Sequence, residues 1–343
     1  MATWYHATMQ PLESTHAMAV SFRLDVIARP REDHPAVPVF AIVRNERYFL
    51  PHFLAHYRAL GVRNFWFLDD HSTDGTRELL ASQPDCGVVA SDRRFGDKLD
   101  GLRFSTWVRR LVPERLFPGR WVLGVDCDEF LVLPPPFASI DALAVALDRD
   151  GLGSARAVML DFFPRSLADL AAADPAAAPF ELCPYLDPLV SLDWRDREPR
   201  PRAVPLEGVR PRMLGELLKR VPMPPAWLAS YKHALVHKAP LLRWQPGVRM
   251  RCPHEATLPP SDRVQLVLAH FKFYPGYDER IRAAVASGSY FDASIEYRFL
   301  AEACAALGTC DLRGPGSLRY DGPASLVASG MLFSRLPPAE VDR

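Results

Sequence analysis

The sequence predicts an α/β protein of the GT-A type, whose mostly parallel central sheet carries helices on both faces. Three observations lead there. Short apolar runs alternate with amphipathic helical stretches over about 120 residues from Val39, the pattern of a sheet crossed back and forth by helices. The run RWVLGV is almost continuously apolar, as a strand buried on both faces must be. Polar and acidic residues fall just after the strand-like runs, where open parallel sheets keep their ligand loops.

The elements follow in order. Residues 1–37 include Pro30 and Pro35, show no sustained period, and read as an N-terminal extension. VFAIVR (39–44) is the first strand. In RYFLPHFLAHYRALG, Phe49, Phe53, Leu54, Tyr57 and Leu60 share one helical face, Pro51 fits the first turn, and Gly61 is placed to stop the helix. NFWFL (64–68) is a second strand, and Ser72 or Asp74 can cap a helix through TRELLASQ. CGVVA, RWVLGV (120–125) and ARAVML are further strands, separated by helices in LRFSTWVRRLV and ASIDALAVALDRDG. The Pro/Ala-rich stretch 171–179 and the Arg/Pro-rich stretch 195–212 read as irregular. Strands resume at PLLRW and RVQLVLAHFKF, and two helices near 278–287 and 294–307 precede a Gly/Pro-rich tail. The expected domain is 38–275, divided at 162 into a ligand-binding half and a less regular half, with 276–343 as C-terminal helices and tail.

Composition narrows the function. Lysine and arginine total 41, as do aspartate and glutamate, so there is no basic excess to neutralise a nucleic acid. No apolar run is long enough to span a bilayer, and the first residues lack the charged start and apolar core of a secretory signal. The six cysteines are scattered without a C-x-x-C, which fits buried thiols in a reducing cytosol. A cytoplasmic protein is expected, with peripheral membrane contact open.

The residues after the strands carry the chemistry. Strand one ends in Arg44-Asn45-Glu46, strand two in Asp69-Asp70-His71, and strand four in Asp126-Cys127-Asp128-Glu129. One acidic strand end reads as a turn or cap; three on one sheet edge read as a site. Side chains alternate across an extended chain, so Asp126 and Asp128 point the same way and Cys127 points inward. Two carboxylates so placed suit a hard divalent cation, Mg²⁺ or Mn²⁺, which is usually held by one or two carboxylates together with substrate phosphates.

These segments resemble family 2-type glycosyltransferases. VFAIVRNERYFLPHFLAHYRALGVRNFWFLDDHSTDGT is similar to the family's opening, with DDHSTDGT at its acidic signature. RWVLGVDCDEFLVLP resembles the metal-binding strand of a bacterial subgroup, and EGVRPRM, KAPLLRW and LAHFKF resemble that subgroup's later segments. The resemblance spans roughly residues 38–300. It implies a metal-dependent, inverting transfer of a sugar from a UDP- or GDP-linked donor to a carbohydrate or lipid-linked acceptor. In that reading Arg44, Asn45 and Glu46 lie near the nucleotide. Asp69 contacts the base with Asp70 behind it, Asp126 faces the ribose or metal, and Asp128 binds the metal. Gly208 and Arg210 lie on the acceptor side. His254 or His270 could complete the metal shell.

The family usually carries a later acidic pair that supplies the base, and no such pair stands out here. Asp187 and Asp161 are the candidates, with Glu216 a third. Arg93, Arg94 and Lys98 could meet a diphosphate or form a solvated loop. Two other functions stay open. A nucleotidyltransferase would want a glycine-rich loop after strand one, where this chain has Arg44-Asn45-Glu46-Arg47. A non-catalytic sugar-nucleotide or carbohydrate binder of the same fold would be expected to lose the metal carboxylates, which are present.

Overall fold

The computed structural model describes residues 22–189, 192–197, 200–205, 208–220, 236–288 and 291–337. The principal strands are β1 (Leu24–Ala28), β2 (Val39–Val43), β3 (Phe65–Asp69), β4 (Cys86–Ser91), β5 (Trp121–Gly124), β6 (Glu129–Val132), β7 (Ser154–Phe163), β8 (His237–Arg243) and β9 (Val264–Phe271). The principal helices are α1 (Phe49–Ala59), α2 (Thr76–Ala81), α3 (Phe104–Leu116), α4 (Ile140–Arg149), α5 (Val209–Leu218), α6 (Tyr277–Ser287) and α7 (Phe291–Leu307).

The strands join one large sheet in the order β1-β4-β3-β2-β5-β8-β7, with β9 paired to β7 and β6. β2 is parallel to β3 and to β5, and β3 is parallel to β4. β8 runs antiparallel to both β5 and β7, which restores the original direction at β7, and β9 is parallel to β7. Thus β4, β3, β2, β5, β7 and β9 all deliver their carboxyl ends to one edge. Every residue of β2, β3 and β9 is buried, because helices cover both faces. α1 and α4 pack into a core with Phe65, Phe67, Leu123 and Val267; α3 closes the opposite face over Phe40, Trp66 and Val122.

The sheet extends beyond the expected domain. Residues 1–21 of the expected extension lie outside the described residues, but β1 adds an antiparallel edge strand to β4. The stretch 195–212, expected to be irregular, contains most of an antiparallel hairpin (Leu192–Arg197 with Arg200–Pro205) and the start of α5. Its prolines and arginines hide the pattern: Pro205 closes the second strand, and Pro211 is accepted in the first turn of α5. Past residue 276, α6 and α7 pack on each other and contribute Ile281, Phe299 and Leu300 to the main core. No helix among the described residues is long and apolar enough to cross a membrane.

Candidate active site

Two loops interlock at the carboxyl ends of β2 and β3. Asn45 and His71 both adopt left-handed backbone, φ 56° and 57°, a conformation that non-glycine residues seldom take and that often marks functional turns. The Asn45 amide donates to Ser72 Oγ at 3.0 Å, and Asn45 Oδ1 accepts from the Thr73 amide at 2.8 Å. The Glu46 and Arg47 amides donate to Thr76 Oγ1 and Asp74 Oδ2. Gly75, at φ +88°, leaves room for the Arg47 guanidinium, which lies 2.6 Å from where a Cβ would stand.

The two aspartates after β3 differ in how they are used. Asp69 accepts from the Arg77 guanidinium, at 2.5 Å and 2.8 Å, and from the Ser72 amide. Asp70 accepts the Phe95 amide through Oδ1, while its buried Oδ2 receives no hydrogen bond among the described residues and has Arg44 at 3.7 Å. Burial raises the Asp70 pKa, opposed by that amide and by Arg44. The unused oxygen therefore belongs to Asp70. The Phe95 contact also brings the loop carrying Arg93 and Arg94 over the same corner, where His71 lies 3.2 Å from the Arg93 carbonyl.

The DCDE segment is a turn rather than an extended strand end. β5 stops at Gly124, the Glu129 amide donates back to the Asp126 carbonyl at 3.0 Å, and β6 starts at Glu129. Side-chain alternation is lost, so Asp126 and Asp128 face different partners. Asp126 pairs with Arg109 of α3 and, at 3.3 Å, with Lys238 of β8. Desolvation would raise its pKa, but Arg109 and Lys238 overcome that and hold it well below the ordinary range. Lys238 also donates to Glu129 at 2.6 Å; both side chains are almost fully buried, and Glu129 Oε2 accepts the Asp126 amide. Burial pushes the Glu129 pKa up, against the pull of Lys238.

Asp128 faces the other way. β9 places His270 directly opposite Glu129 of β6 and in register with Asp161 of β7. His270 Nδ1 lies 2.7 Å from Asp161 Oδ1. Arg210 of α5 grips the same carboxylate, at 2.5 Å and 2.6 Å, and also reaches Glu296 at 3.1 Å. Against a desolvation penalty, Arg210 and His270 keep Asp161 ionised and well below the usual carboxylate range. An ionised carboxylate only accepts, so Nδ1 donates its proton to Asp161, an Arg210 nitrogen stands 3.2 Å from the same Nδ1, and Nε2 is turned toward Asp128. Nε2 stands 3.6 Å from Asp128 Oδ2. Asp128 Oδ2 and His270 Nε2 thus face each other, and with the ring neutral both would offer lone pairs to a cation. Lys272 lies 3.7 Å from that same oxygen. Burial would lower the Lys272 pKa, but Glu296 and Asp128 outweigh it and hold the ammonium charged.

Glu46 belongs to this side as well. Its Oε1 accepts from Arg280 of α6 at 2.7 Å, and its buried Oε2 has no hydrogen-bond partner among the described residues. Burial, opposed by Arg280 and reinforced by the negative charge of Asp128, raises its pKa to about 7.

The remaining candidates lie elsewhere. Asp187 accepts from Arg212 at 2.8 Å and from Ser317 Oγ at 2.5 Å, tying the C-terminal segment to α5. Glu216 pairs with Lys219 on an exposed helical surface. His254 is partly buried, with Nδ1 3.0 Å from the His237 carbonyl, and desolvation together with nearby Lys238 lowers its pKa to about 3. Gly208, at φ +120°, opens α5 and so sets the direction in which Arg210 enters the cluster. Among the described residues, no three His, Cys, Asp or Glu side chains form a ready-made metal cage. Asp128 and His270 would offer a cation two positions, and Mg²⁺ or Mn²⁺ at phosphates usually takes one or two protein ligands. A cavity lined by Phe40, Arg109, Pro113, Val122 and Trp244 has a volume of about 20 Å³, enough for one water and far too small for a donor.

Sequence reasoning missed Arg109, Lys238, Lys272, Arg280 and Glu296. A signal existed for Arg109, which falls with Ser105, Val108 and Val112 on the buried stripe of α3. A charge on such a stripe demands a partner.

No protein-family model matches the chain, and no curated protein matches it. Among solved structures, S. aureus TarS overlaps 36% of this chain at 18% identity and a TM-score of 0.26. The overlap takes in 21% of TarS, so this chain matches about a fifth of that protein's length. A likeness of that extent adds no weight to the functional argument.

Proposed function

We propose that this chain is a glycosyltransferase. It moves a sugar from a UDP- or GDP-linked donor to a hydroxyl of a carbohydrate or lipid-linked acceptor, by direct displacement with inversion. The observation that carries the reading is the facing pair of Asp128 Oδ2 and His270 Nε2 at the carboxyl edge of the sheet. It lies on the same edge as the Asn45 and Asp70 loops, where open α/β sheets bind nucleotides.

In this reading Asp128 and His270 would hold Mn²⁺ or Mg²⁺, which supplies counter-charge for the departing diphosphate. The chain's own residues do the rest. Asp70 offers its unused oxygen to a donor N–H or O–H of the nucleotide. Asp161 acts on the ring of His270, fixing its tautomer and direction, and Arg210 holds Asp161 in place. Arg109 and Lys238 brace the turn from behind, so Asp128 is presented on a fixed backbone. The test is release of UDP or GDP from a panel of UDP- and GDP-sugars, with Mn²⁺ and with a chelator. Mn²⁺-dependent release from one donor supports the reading. Binding of a nucleotide sugar with no release under any condition would make the chain a binder instead.

A further inference from the structure

Lys272 deepens the proposed function and rests on its metal site. Two lysines approach the acidic turn on very different terms. Lys238 is committed: it hydrogen-bonds Glu129 at 2.6 Å and Asp126 at 3.3 Å. Lys272 stands 3.7 Å from Asp128 Oδ2, beyond hydrogen-bond range, and donates no hydrogen bond to any described residue. Its side chain is only a fifth exposed. Glu296 and Asp128 balance its charge, and its ammonium keeps donors available for a ligand.

Its position explains what that ligand would be. His270 lies near the end of β9, which stops at Phe271, and Lys272 follows directly after it. Both reach the same oxygen of Asp128, at 3.6 Å and 3.7 Å. The ammonium therefore stands beside the spot where a divalent ion would join Asp128 to His270. Two cations so close repel, and the ammonium, on a flexible stem, is the one able to move.

We propose that Lys272 is an exchangeable counter-ion. It neutralises Asp128 while the divalent ion is absent. When the ion arrives, Lys272 yields the carboxylate and turns its donors to the donor's diphosphate oxygens. The resident ammonium thereby weakens metal binding to the free protein and strengthens binding of the metal together with diphosphate, so the ion is held firmly only when the donor is present.

The test uses the full chain, Lys272→Met and Lys272→Arg, with Mn²⁺ binding followed by its electron spin resonance signal and inorganic pyrophosphate as the base-free probe. Without pyrophosphate, Lys272→Met should bind Mn²⁺ at least about tenfold more tightly than the parent, since it removes a neighbouring positive charge. With Mn²⁺ saturating, the same variant should bind pyrophosphate at least about tenfold more weakly. Lys272→Arg keeps the charge and should stay within a few-fold of the parent in both assays, which guards against an unfolded methionine variant. Unchanged or weaker Mn²⁺ binding in folded Lys272→Met overturns the proposal while leaving the metal site intact. Mn²⁺ binding absent from the parent and both variants overturns the proposal and the metal site together. Mn²⁺ binding that appears only in Lys272→Met supports the proposal.

Discussion

Replacing Lys238 by methionine keeps the apolar stem and removes the charge that holds the acidic turn from below. The pair it breaks is 2.6 Å long, with side-chain exposures of 3% for Lys238 and 2% for Glu129. Removing one partner of such a pair typically costs about 3–5 kcal/mol, because the other charge is stranded. Protonation sets a ceiling. A stranded Glu129 takes up a proton on folding, and at pH 7 that costs about 1.4 kcal/mol for each unit above an unfolded pKa of about 4.3, or roughly 3.7 kcal/mol in all. The sign follows from a carboxyl whose folded pKa is raised. The penalty is absent below the unfolded pKa and grows as pH climbs toward the folded one, so at about pH 5 it should shrink to roughly 1 kcal/mol. Asp126 adds little to it, since Arg109 still neutralises that carboxylate. Urea unfolding of parent and variant at the two pH values measures this, and adding Glu129→Gln should recover most of the loss at neutral pH. A penalty of equal size at both pH values, or none at either, would refute the stranded-charge argument.

Two further substitutions probe the surroundings. Asp161→Asn frees the His270 ring to take the other tautomer, and Mn²⁺ affinity measured by titration should fall about ten- to a hundredfold while the fold persists; unchanged affinity would remove Asp161 from the metal's support. Asp187→Asn breaks the 2.8 Å pair with Arg212 that ties down the C-terminal segment. It should lower stability by about 2 kcal/mol in a melting experiment and leave donor turnover per folded molecule unchanged, and a selective loss of turnover would return Asp187 to the list of catalytic bases.

Much of the sheet was legible because burial leaves a plain mark on strands. VFAIV, FWFL and WVLG are apolar throughout, and they became adjacent parallel strands with acidic loops on one edge. What could not be read was pairing across long separations. Nothing local in LAHFKF says that His270 will lie in register with Asp161, 109 residues earlier, or that Lys238 will reach back under Glu129. The turn at Asp126 was hidden for a related reason. Its geometry is set by the Asp126 amide bonding to the Glu129 side chain, and that side chain is held by a lysine from β8. Asp187 shows the opposite case: an acidic residue in a proline-flanked loop looked available, and only the fold shows it spent on Arg212 and Ser317.

The central claim is that Asp128 presents a divalent ion to the diphosphate of a sugar donor. It is tested most directly by measuring nucleotide release from the preferred donor, with Mn²⁺, by the parent and by Asp128→Asn, each beside its melting curve. Asparagine keeps the side chain's shape and loses the negative oxygen that a hard cation prefers. The account predicts a variant that melts like the parent and turns over at least about a hundredfold more slowly. A folded Asp128→Asn protein that releases nucleotide at the parent's rate would contradict it.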